Sequence, residues 1–301
     1  RMGTRGFFLL HLSRSATLDG YARVTRDLGH DPVVLVAEVG LPPACLTDPD
    51  LKIPTSAVLE LFNLTAERIG AVDFGLRVAR TRQFSNLGAV ALIMREQPNV
   101  RQTLRVLAEN VWAQAEGLSI TTEESDGMAI LSASIAHPAG TPVRQNIELA
   151  IAVVVGLLRR FLGPQWAPEM VLFTHRKPAR MALHVEIFGR APVFGQDLNA
   201  IVMRSVDLDA EIPEADPGAA AQLTRYLEFV AGHRSADFAE KVKRMVCVLL
   251  PDGGARADHV ARQLGMDRRT LHRRLARQGT SFSELVQRER SELAQAYIAA
   301  G

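Results

Sequence analysis

The sequence predicts two domains of different class, an α+β domain followed by an all-α domain that contains a helix-turn-helix. Helical spacing of apolar residues recurs through the first eighty positions and again near 100 and 150, while β-favouring residues cluster around 118–135. A polar, proline-containing stretch at 211–218 has the composition of a domain junction. With 301 residues, 47% of them hydrophobic, the chain is long enough to bury more than one core.

The first helices are expected between about residues 18 and 80. Tyr21, Val24 and Leu28 share one helix face. Two segments with glycine and proline, 29–32 and 40–43, separate neighbouring helices, because glycine accepts a left-handed helix end and proline suits a first turn. A further amphipathic helix is predicted over 99–114, after Pro98.

The β structure is expected to begin with a hairpin. Leu118–Thr122 and Met128–Ile135 flank the turn signal Ser125-Asp-Gly127. An apolar helix follows over 145–162; its charged residues make it a buried helix, not a membrane span. The remaining predicted strands are Met170–Thr174, Val185–Phe188 and Ala200–Met203.

These patterns define three predicted segments and a charge asymmetry. Residues 1–215 form the first domain, 216–234 a connecting helix or linker, and 235–301 the all-α domain. The net charge of the chain is only +2, but the segment from Lys241 onward has twelve basic and six acidic residues. The first 240 residues hold the remaining 23 basic and 27 acidic residues, so a polyanion would be attracted to one end of the chain.

Several function classes receive no support from the sequence. Cys45 and Cys247 lie far apart, which argues against a disulfide framework or a zinc site. No nucleophile elbow, zinc-protease helix, glycine-rich phosphate loop or paired-cysteine motif is present, and His184-Val-Glu186 is interpreted as a strand pair without further ligands. We therefore expect a protein that is not an enzyme, without metal or cofactor. No secretory signal or membrane segment is recognised, so a cytoplasmic location is expected.

Residues 258–278 carry the most specific pattern. Asp258 is predicted to cap a short helix, Gly265-Met266 to form a tight turn, and Asp267 to cap a second helix. Small or apolar residues would hold the two helices together: Val260, Ala261, Leu264, Leu271 and Leu275.

The opposite side of the second helix is a candidate DNA-binding surface. Arginine donates two hydrogen bonds to guanine in the major groove, whereas contacts to phosphates fix position without reading sequence. The alternative is a solvated basic helix face on an ordinary domain; the coincidence of five arginines with helix-turn-helix spacing favours DNA. The predicted base-reading residues are Arg268, Arg269, His272 and Arg273. The predicted phosphate contacts are Arg274, Arg277, Gln278 and Ser281.

The same segment resembles a known family. Asp258 to Leu285, followed by Arg288-Glu-Arg290 and Ala294-Gln-Ala-Tyr-Ile298, resembles the first half of an AraC/XylS-family DNA-binding domain. The upstream part resembles the arabinose-binding-like sensor domain of that family through Leu41-Pro-Pro43, Asp73-Phe-Gly-Leu76, Leu162-Gly-Pro-Gln-Trp166, Phe173-Thr-His175 and Phe188-Gly-Arg-Ala-Pro-Val-Phe-Gly195.

The resemblance implies a bacterial transcription regulator that binds double-stranded promoter DNA, senses a small-molecule effector, forms a homodimer and contacts RNA polymerase. Family members have two helix-turn-helix units, and the second is expected to lie beyond Gly301. The alternatives are a sensor that acts through protein contacts alone and, less favoured, an enzyme.

The effector site is only weakly indicated. Tyr21, Trp112 and His175 are candidate ligand contacts, although core packing for the first two and a structural strand-end position for His175 are the more frequent explanations. Arg176, Lys177 and Arg180 could pair with a carboxylate, or lie on a solvated loop. The scarcity of convergent polar residues favours a lipophilic effector, such as a fatty acid or another apolar ligand.

Overall fold

The computed structural model describes residues 11–137, 141–213, 215–230, 238–250, 255–263 and 267–300. Contacts divide the chain into an N-terminal unit, residues 11–221, and a C-terminal unit that begins at residue 222. The predicted boundary at 215 and the predicted connecting segment 216–234 stay predictions, since part of that segment lies outside the described residues.

The N-terminal unit begins with a group of short helices, as the sequence predicts. Asp31 caps one of them by accepting a hydrogen bond from the Val33 amide at 2.8 Å, and Gly70 ends another with a φ of 69°. The helices are α1 (Tyr21–Asp27), α2 (Pro32–Glu38), α3 (Thr55–Ile69) and α4 (Phe74–Ala79). Two three-residue strands, β1 (Leu12–Arg14) and β2 (Lys52–Pro54), pair antiparallel beside them. This pair was not predicted because strands so short have no periodicity.

Three aromatic rings form the centre of this helical group. Tyr21, Phe62 and Phe74 are fully buried, with ring centroids 5.6 to 5.7 Å apart. The Tyr21 hydroxyl lies 2.7 Å from Thr65 Oγ1, and burial raises the pKa of Tyr21 to about 12. The tyrosine is therefore a core residue with a satisfied hydroxyl.

Three further helices follow. They are α5 (Ala89–Arg95), α6 (Val100–Asn110) and α7 (Arg144–Leu162). Asn99 caps α6 by accepting a hydrogen bond from the Gln102 amide at 3.0 Å. The helices predicted over 99–114 and 145–162 are confirmed.

A five-stranded sheet completes the unit in the order β3-β4-β7-β5-β6. Only the β5–β6 pair is parallel. The strands are β3 (Leu118–Ser125), β4 (Met128–Ile135), β5 (Met170–Phe173), β6 (Val193–Phe194) and β7 (Ala200–Arg204). The predicted hairpin and the predicted strands at 170–174 and 200–203 are confirmed. Ile151, Val155 and Leu158 of α7 share one core with Leu131 and Met203 of the sheet.

The predicted strand Val185–Phe188 is wrong, because these residues belong to helix α8 (Ala182–Phe188). His184 and Phe188 lie one helical turn apart and are both buried. Gly189, with a φ of 77°, ends the helix. The β-branched Val185 and Ile187 made the segment resemble a strand, although its buried positions follow helical spacing. A last short helix, α9 (Ser205–Leu208), follows β7.

Helices make up the described part of the C-terminal unit, as predicted. They are α10 (Pro217–Val230, which begins in the N-terminal unit), α11 (Phe238–Leu249), α12 (Ala257–Gln263), α13 (Arg268–Arg277) and α14 (Phe282–Ala300). The predicted inward-facing Leu264 and the predicted turn Gly265-Met266 lie outside the described residues. Throughout the described ranges, no helix combines the length and apolar content needed to cross a bilayer.

Candidate nucleic-acid interface and cavity

Helix α13 begins at a capping carboxylate. Asp267 accepts hydrogen bonds from the Thr270 amide at 2.7 Å and from the Thr270 hydroxyl at 3.0 Å. These bonds favour the ionised form and hold the pKa of Asp267 below its ordinary value. The predicted cap of the second helix is confirmed. Helix α12 begins at Ala257, so Asp258 lies in its first turn and not before it.

Two leucines fix the orientation of α13. Leu271 and Leu275 are fully buried, in one core with Val260, Ala261 and Val246. This confirms the predicted inward face. Because these leucines lie one turn apart, the remaining sides of α13 face away from that core.

The four predicted base-reading residues, which we call the base-reading face, lie on those remaining sides. Arg268, Arg269 and Arg273 are exposed and His272 is partly buried. The Arg268 Nε donates to His272 Nε2 at 3.4 Å, and its Nη1 lies 3.5 Å from an Asp258 carboxylate oxygen. The base-reading face is thus cationic and accessible within its unit, and its contact with DNA stays a prediction.

Three of the four predicted phosphate-binding residues have structural partners as well. The Arg274 guanidinium lies over the Phe238 ring at 5.4 Å from its centroid. Gln278 accepts a hydrogen bond from the Ala239 amide at 2.6 Å. Ser281 accepts from the Glu284 amide at 3.2 Å, and Glu284 accepts from the Ser281 amide at 2.9 Å, a capping box at the start of α14. Arg277 is exposed. Phosphate contact by these four residues remains a prediction.

The N-terminal unit contains a large cavity of about 910 Å³ that is partly open to solvent. This volume is within the range of about 300 to 1,000 Å³ usual for small-molecule sites. Apolar side chains from α3, α5, α6, α7 and the β3–β4 hairpin form most of its wall. Helix α7 contributes a stripe of cavity-lining residues at helical spacing: Asn146, Leu149, Ala150, Val153, Gly156, Leu157 and Arg160.

Among the described residues, the charged side chains that line the cavity are three arginines, without an aspartate or glutamate. Arg95 pairs with Glu96 at 2.8 Å, and the Arg160 guanidinium lies over the Phe84 ring, 5.2 Å from its centroid. Arg82 donates to the Ala16 carbonyl at 2.6 Å and to the Thr17 carbonyl. Burial lowers the pKa of Arg82 to about 10, so its guanidinium is still charged at neutral pH.

The sequence-predicted ligand contacts do not line this cavity. Tyr21 lies in the aromatic core described above, and Trp112 lies in a short 3-10 helix at Val111–Ala113. His175 follows β5, and Arg176, Lys177 and Arg180 are exposed beyond it. Ligand contact by Tyr21, Trp112 and His175 remains a prediction. The sequence analysis did not identify Arg82 and Gly156 as cavity-lining residues. For Gly156, the available signal was a glycine inside an otherwise apolar helix.

A buried polar cluster surrounds Glu148 of α7. Its Oε1 lies 3.0 Å from Arg144 Nε, 3.1 Å from His184 Nε2 and 3.3 Å from His175 Nε2. His184 was interpreted as a strand residue without further ligands, whereas in the structure it lies in a helix and contacts Glu148. Desolvation by burial lowers the pKa of His175. Among the described residues no group of His, Cys, Asp and Glu has an arrangement that could hold a metal ion.

Comparisons with known proteins show the family of the N-terminal unit. The model of a family described as the arabinose-binding domain of AraC transcription regulators, N-terminal, matches residues 29–212. The chain is 28% identical over 295 residues to the HTH-type transcriptional regulator VirS of Mycobacterium tuberculosis, in strains CDC 1551 and H37Rv alike, covering 96% of this chain and 85% of VirS.

A crystal structure of the transcriptional regulator CdpR from Pseudomonas aeruginosa aligns with 92% of this chain and 85% of its own, at 18% identity and a TM-score of 0.49.

The matched family consists of transcription regulators and not of enzymes, which agrees with the absence of catalytic motifs in the sequence. Since the family model covers more than half of the sequence, the chain belongs to the AraC-type transcription regulators that carry this N-terminal ligand-binding domain.

Proposed function

We propose that this regulator binds promoter DNA through the base-reading face of α13, and that a small lipophilic molecule in the N-terminal unit controls this binding. A helix fits the major groove, where arginine can donate two hydrogen bonds to guanine O6 and N7. The phosphate contacts of Arg274, Arg277, Gln278 and Ser281 would fix the position of the helix on the duplex.

One observation carries the DNA-binding proposal. Leu271 and Leu275 are fully buried on one side of α13, while Arg268, Arg269 and Arg273 are exposed on the others. An amphipathic helix of this kind presents its cations without disturbing its core. The excess of basic residues from Lys241 onward supports the same proposal.

The salt dependence of DNA binding tests this proposal. Double-stranded genomic fragments selected by the chain would be titrated by fluorescence anisotropy at several salt concentrations. Each phosphate neutralised contributes about −0.9 to the slope of log affinity against log salt, so Arg277→Ala should reduce the slope by about one.

The matched control is Arg105→Ala, since Arg105 is an exposed arginine on α6 of the other unit. This variant should leave the slope unchanged. Equal slopes for wild type, Arg277→Ala and Arg105→Ala would contradict a phosphate contact, and a chain that selects no DNA would favour a sensor acting through protein contacts.

The effector part of the proposal is supported by the cavity of about 910 Å³ and its mainly apolar wall. An apolar ligand that fills it would remove both wall and ligand surface from water. A fatty acid fits this chemistry. Native mass spectrometry of the purified chain should detect a bound lipophilic molecule, and solvent-extracted protein should regain the mass shift when that molecule is returned.

Three further properties are proposed from the family alone. We propose that the regulator forms a homodimer, contacts RNA polymerase and resides in the cytoplasm. In this proposal, the effector changes the dimer geometry so that paired helices meet their half-sites on the promoter. Light scattering at several concentrations, with and without the extracted ligand, measures the oligomeric state directly.

A further inference from the structure

The cavity wall contains a positive charge that has no acid in direct contact among the described residues. No acidic side chain there lies within ion-pair distance of Arg82, and its Nε has no hydrogen-bond partner. Asp19 acts on Arg82 only through a longer-range attraction, which opposes part of the effect of burial on the pKa of Arg82. Arg82 lies deep in the N-terminal unit, yet part of its surface stays accessible, as expected of a side chain that lines a cavity. A buried charge of this kind is costly unless an opposite charge joins it.

The other two arginines of the cavity are less available. Arg95 already pairs with Glu96, and Arg160 is exposed to solvent with its guanidinium over Phe84. Arg82 uses two of its N–H groups on the Ala16 and Thr17 carbonyls, which fix the orientation of its guanidinium. A guanidinium has five N–H groups, so donors remain for an anion. Asn146 Oδ1, also in the cavity wall, is buried without a hydrogen-bond partner among the described residues.

A second observation concerns the body of the ligand. Gly156 lies in the interior of α7 and lines the cavity, and the position that its Cβ would occupy has no heavy atom within 4 Å. Its φ is not in the left-handed region, so the backbone does not require glycine here. Glycine inside a helix is less stable than alanine, and at this position it leaves open space along an otherwise apolar wall.

We propose that the effector is a carboxylate amphiphile, whose carboxylate head pairs with Arg82 and whose apolar body lies along α7 over Gly156. This proposal rests on the proposed function, because it specifies the chemistry of the effector. A carboxylate supplies a negative charge in direct contact with Arg82, which no acid among the described residues does, and it matches the two-pronged geometry of a guanidinium. The cavity-lining stripe of α7 from Asn146 to Arg160 spans about 21 Å at 1.5 Å per residue, which suits an extended acyl chain.

Binding of laurate and palmitoleate to the solvent-extracted chain tests the head group. Isothermal titration calorimetry would compare each acid with its methyl ester, which retains the apolar body and loses the charge. A charge-assisted hydrogen bond in a desolvated site predicts that the acid binds about tenfold to a hundredfold tighter than the ester. Lauryl phosphate, which carries a phosphate in place of the carboxylate, tests a second kind of anionic head group.

Two pairs of variants test the proposed roles of Arg82 and Gly156. Arg82→Met should reduce acid affinity to that of the ester, while Arg82→Lys, which retains a charge, should lose less. Gly156→Phe fills the open space and should reduce affinity for acid and ester alike by at least about tenfold, while its control Gly156→Ala should bind nearly as wild type. Because ester binding does not depend on the charge of Arg82, unchanged ester affinity in Arg82→Met shows that this variant is folded.

Each outcome supports or overturns the proposal. Equal affinity for acid and ester overturns the role of charge, and tighter binding of lauryl phosphate overturns the carboxylate head. Unchanged binding in Gly156→Phe overturns the placement of the apolar body. If none of the amphiphiles binds, the carboxylate amphiphile is wrong. The proposed function would still stand in that case if a neutral lipophilic molecule copurifies with the chain and alters its DNA binding. The failure of the carboxylate proposal can therefore be distinguished from the failure of the proposed function.

Discussion

At the scale of single residues, the burial of a side chain decides between a core role and a binding role. Tyr21 and Arg82 illustrate the difference. Tyr21 is fully buried with its hydroxyl on Thr65, so all of its surface is used within the protein. Arg82 retains unused donors in the wall of a cavity. Sequence position alone could not separate the two, because the partners of both residues come from distant parts of the chain.

Tyr21→Phe tests the core assignment. Removing the hydroxyl leaves Thr65 without its partner in a buried site, so we expect the N-terminal unit to lose about 0.5 to 1.5 kcal/mol of unfolding free energy. Urea denaturation followed by circular dichroism measures this loss, and ligand affinity should be unchanged. A large loss of ligand affinity in a stably folded Tyr21→Phe would show that the ring contacts the effector after all.

At the scale of elements, periodicity predicted long amphipathic segments well and short ones poorly. Helices α6 and α7 were predictable because several turns repeat one buried face. Helix α8 has only seven residues, and its β-branched residues imitated a strand. The paired strands β1 and β2 have three residues each, too few for any pattern. The cap at Asp267 was predictable because capping depends on adjacent residues only.

The cap of α13 should make the C-terminal unit sensitive to acid. Hydrogen bonds from Thr270 lower the pKa of Asp267 in the folded state below its ordinary value of 3.8. A group with a lowered folded pKa stabilises the fold above its unfolded pKa, and this contribution is lost as pH falls through the folded pKa. We therefore expect α13 to lose stability as the solution is acidified below about pH 4.

Asp267→Asn is the matched variant for this prediction, since asparagine keeps an acceptor oxygen and does not titrate. Its thermal unfolding, followed by circular dichroism between neutral and acidic pH, should change less with pH than that of the wild type. Glu284 also has a lowered pKa, from the Ser281 amide, so some pH dependence will remain. Identical pH profiles for the two proteins would contradict the role of the Asp267 cap.

Gly156→Ala tests the interpretation of α7. If Gly156 serves ligand space and not the fold, alanine should stabilise the N-terminal unit by about 0.5 to 1 kcal/mol, because glycine is a poor helix former. Differential scanning calorimetry of the ligand-free protein measures this as a higher unfolding temperature. A lower unfolding temperature would mean that the backbone or packing at this position requires glycine.

At the scale of the whole molecule, the order of domain classes and the family could be predicted, and the cavity could not. The predicted helix-turn-helix lies within one short segment, so its spacing is visible in sequence. The cavity wall is assembled from residues between Ser13 and Arg160 on many elements, so its existence depends on how these elements pack. The charge asymmetry between the first 240 residues and the rest was visible from composition and agrees with the proposed DNA binding by the C-terminal unit.

The most direct test of the central claim is a sequence-specificity profile of DNA binding for the wild type, Arg269→Ala, Arg273→Ala and Arg277→Ala. Selection from a randomised duplex library, followed by affinity measurement at fixed salt, provides the profile. We predict that Arg269→Ala and Arg273→Ala each lose about 1 to 3 kcal/mol and relax the preference at one base position, whereas Arg277→Ala weakens all sequences alike. Equal losses from all three variants, with no change in base preference, would contradict the assignment of α13 as the helix that reads DNA.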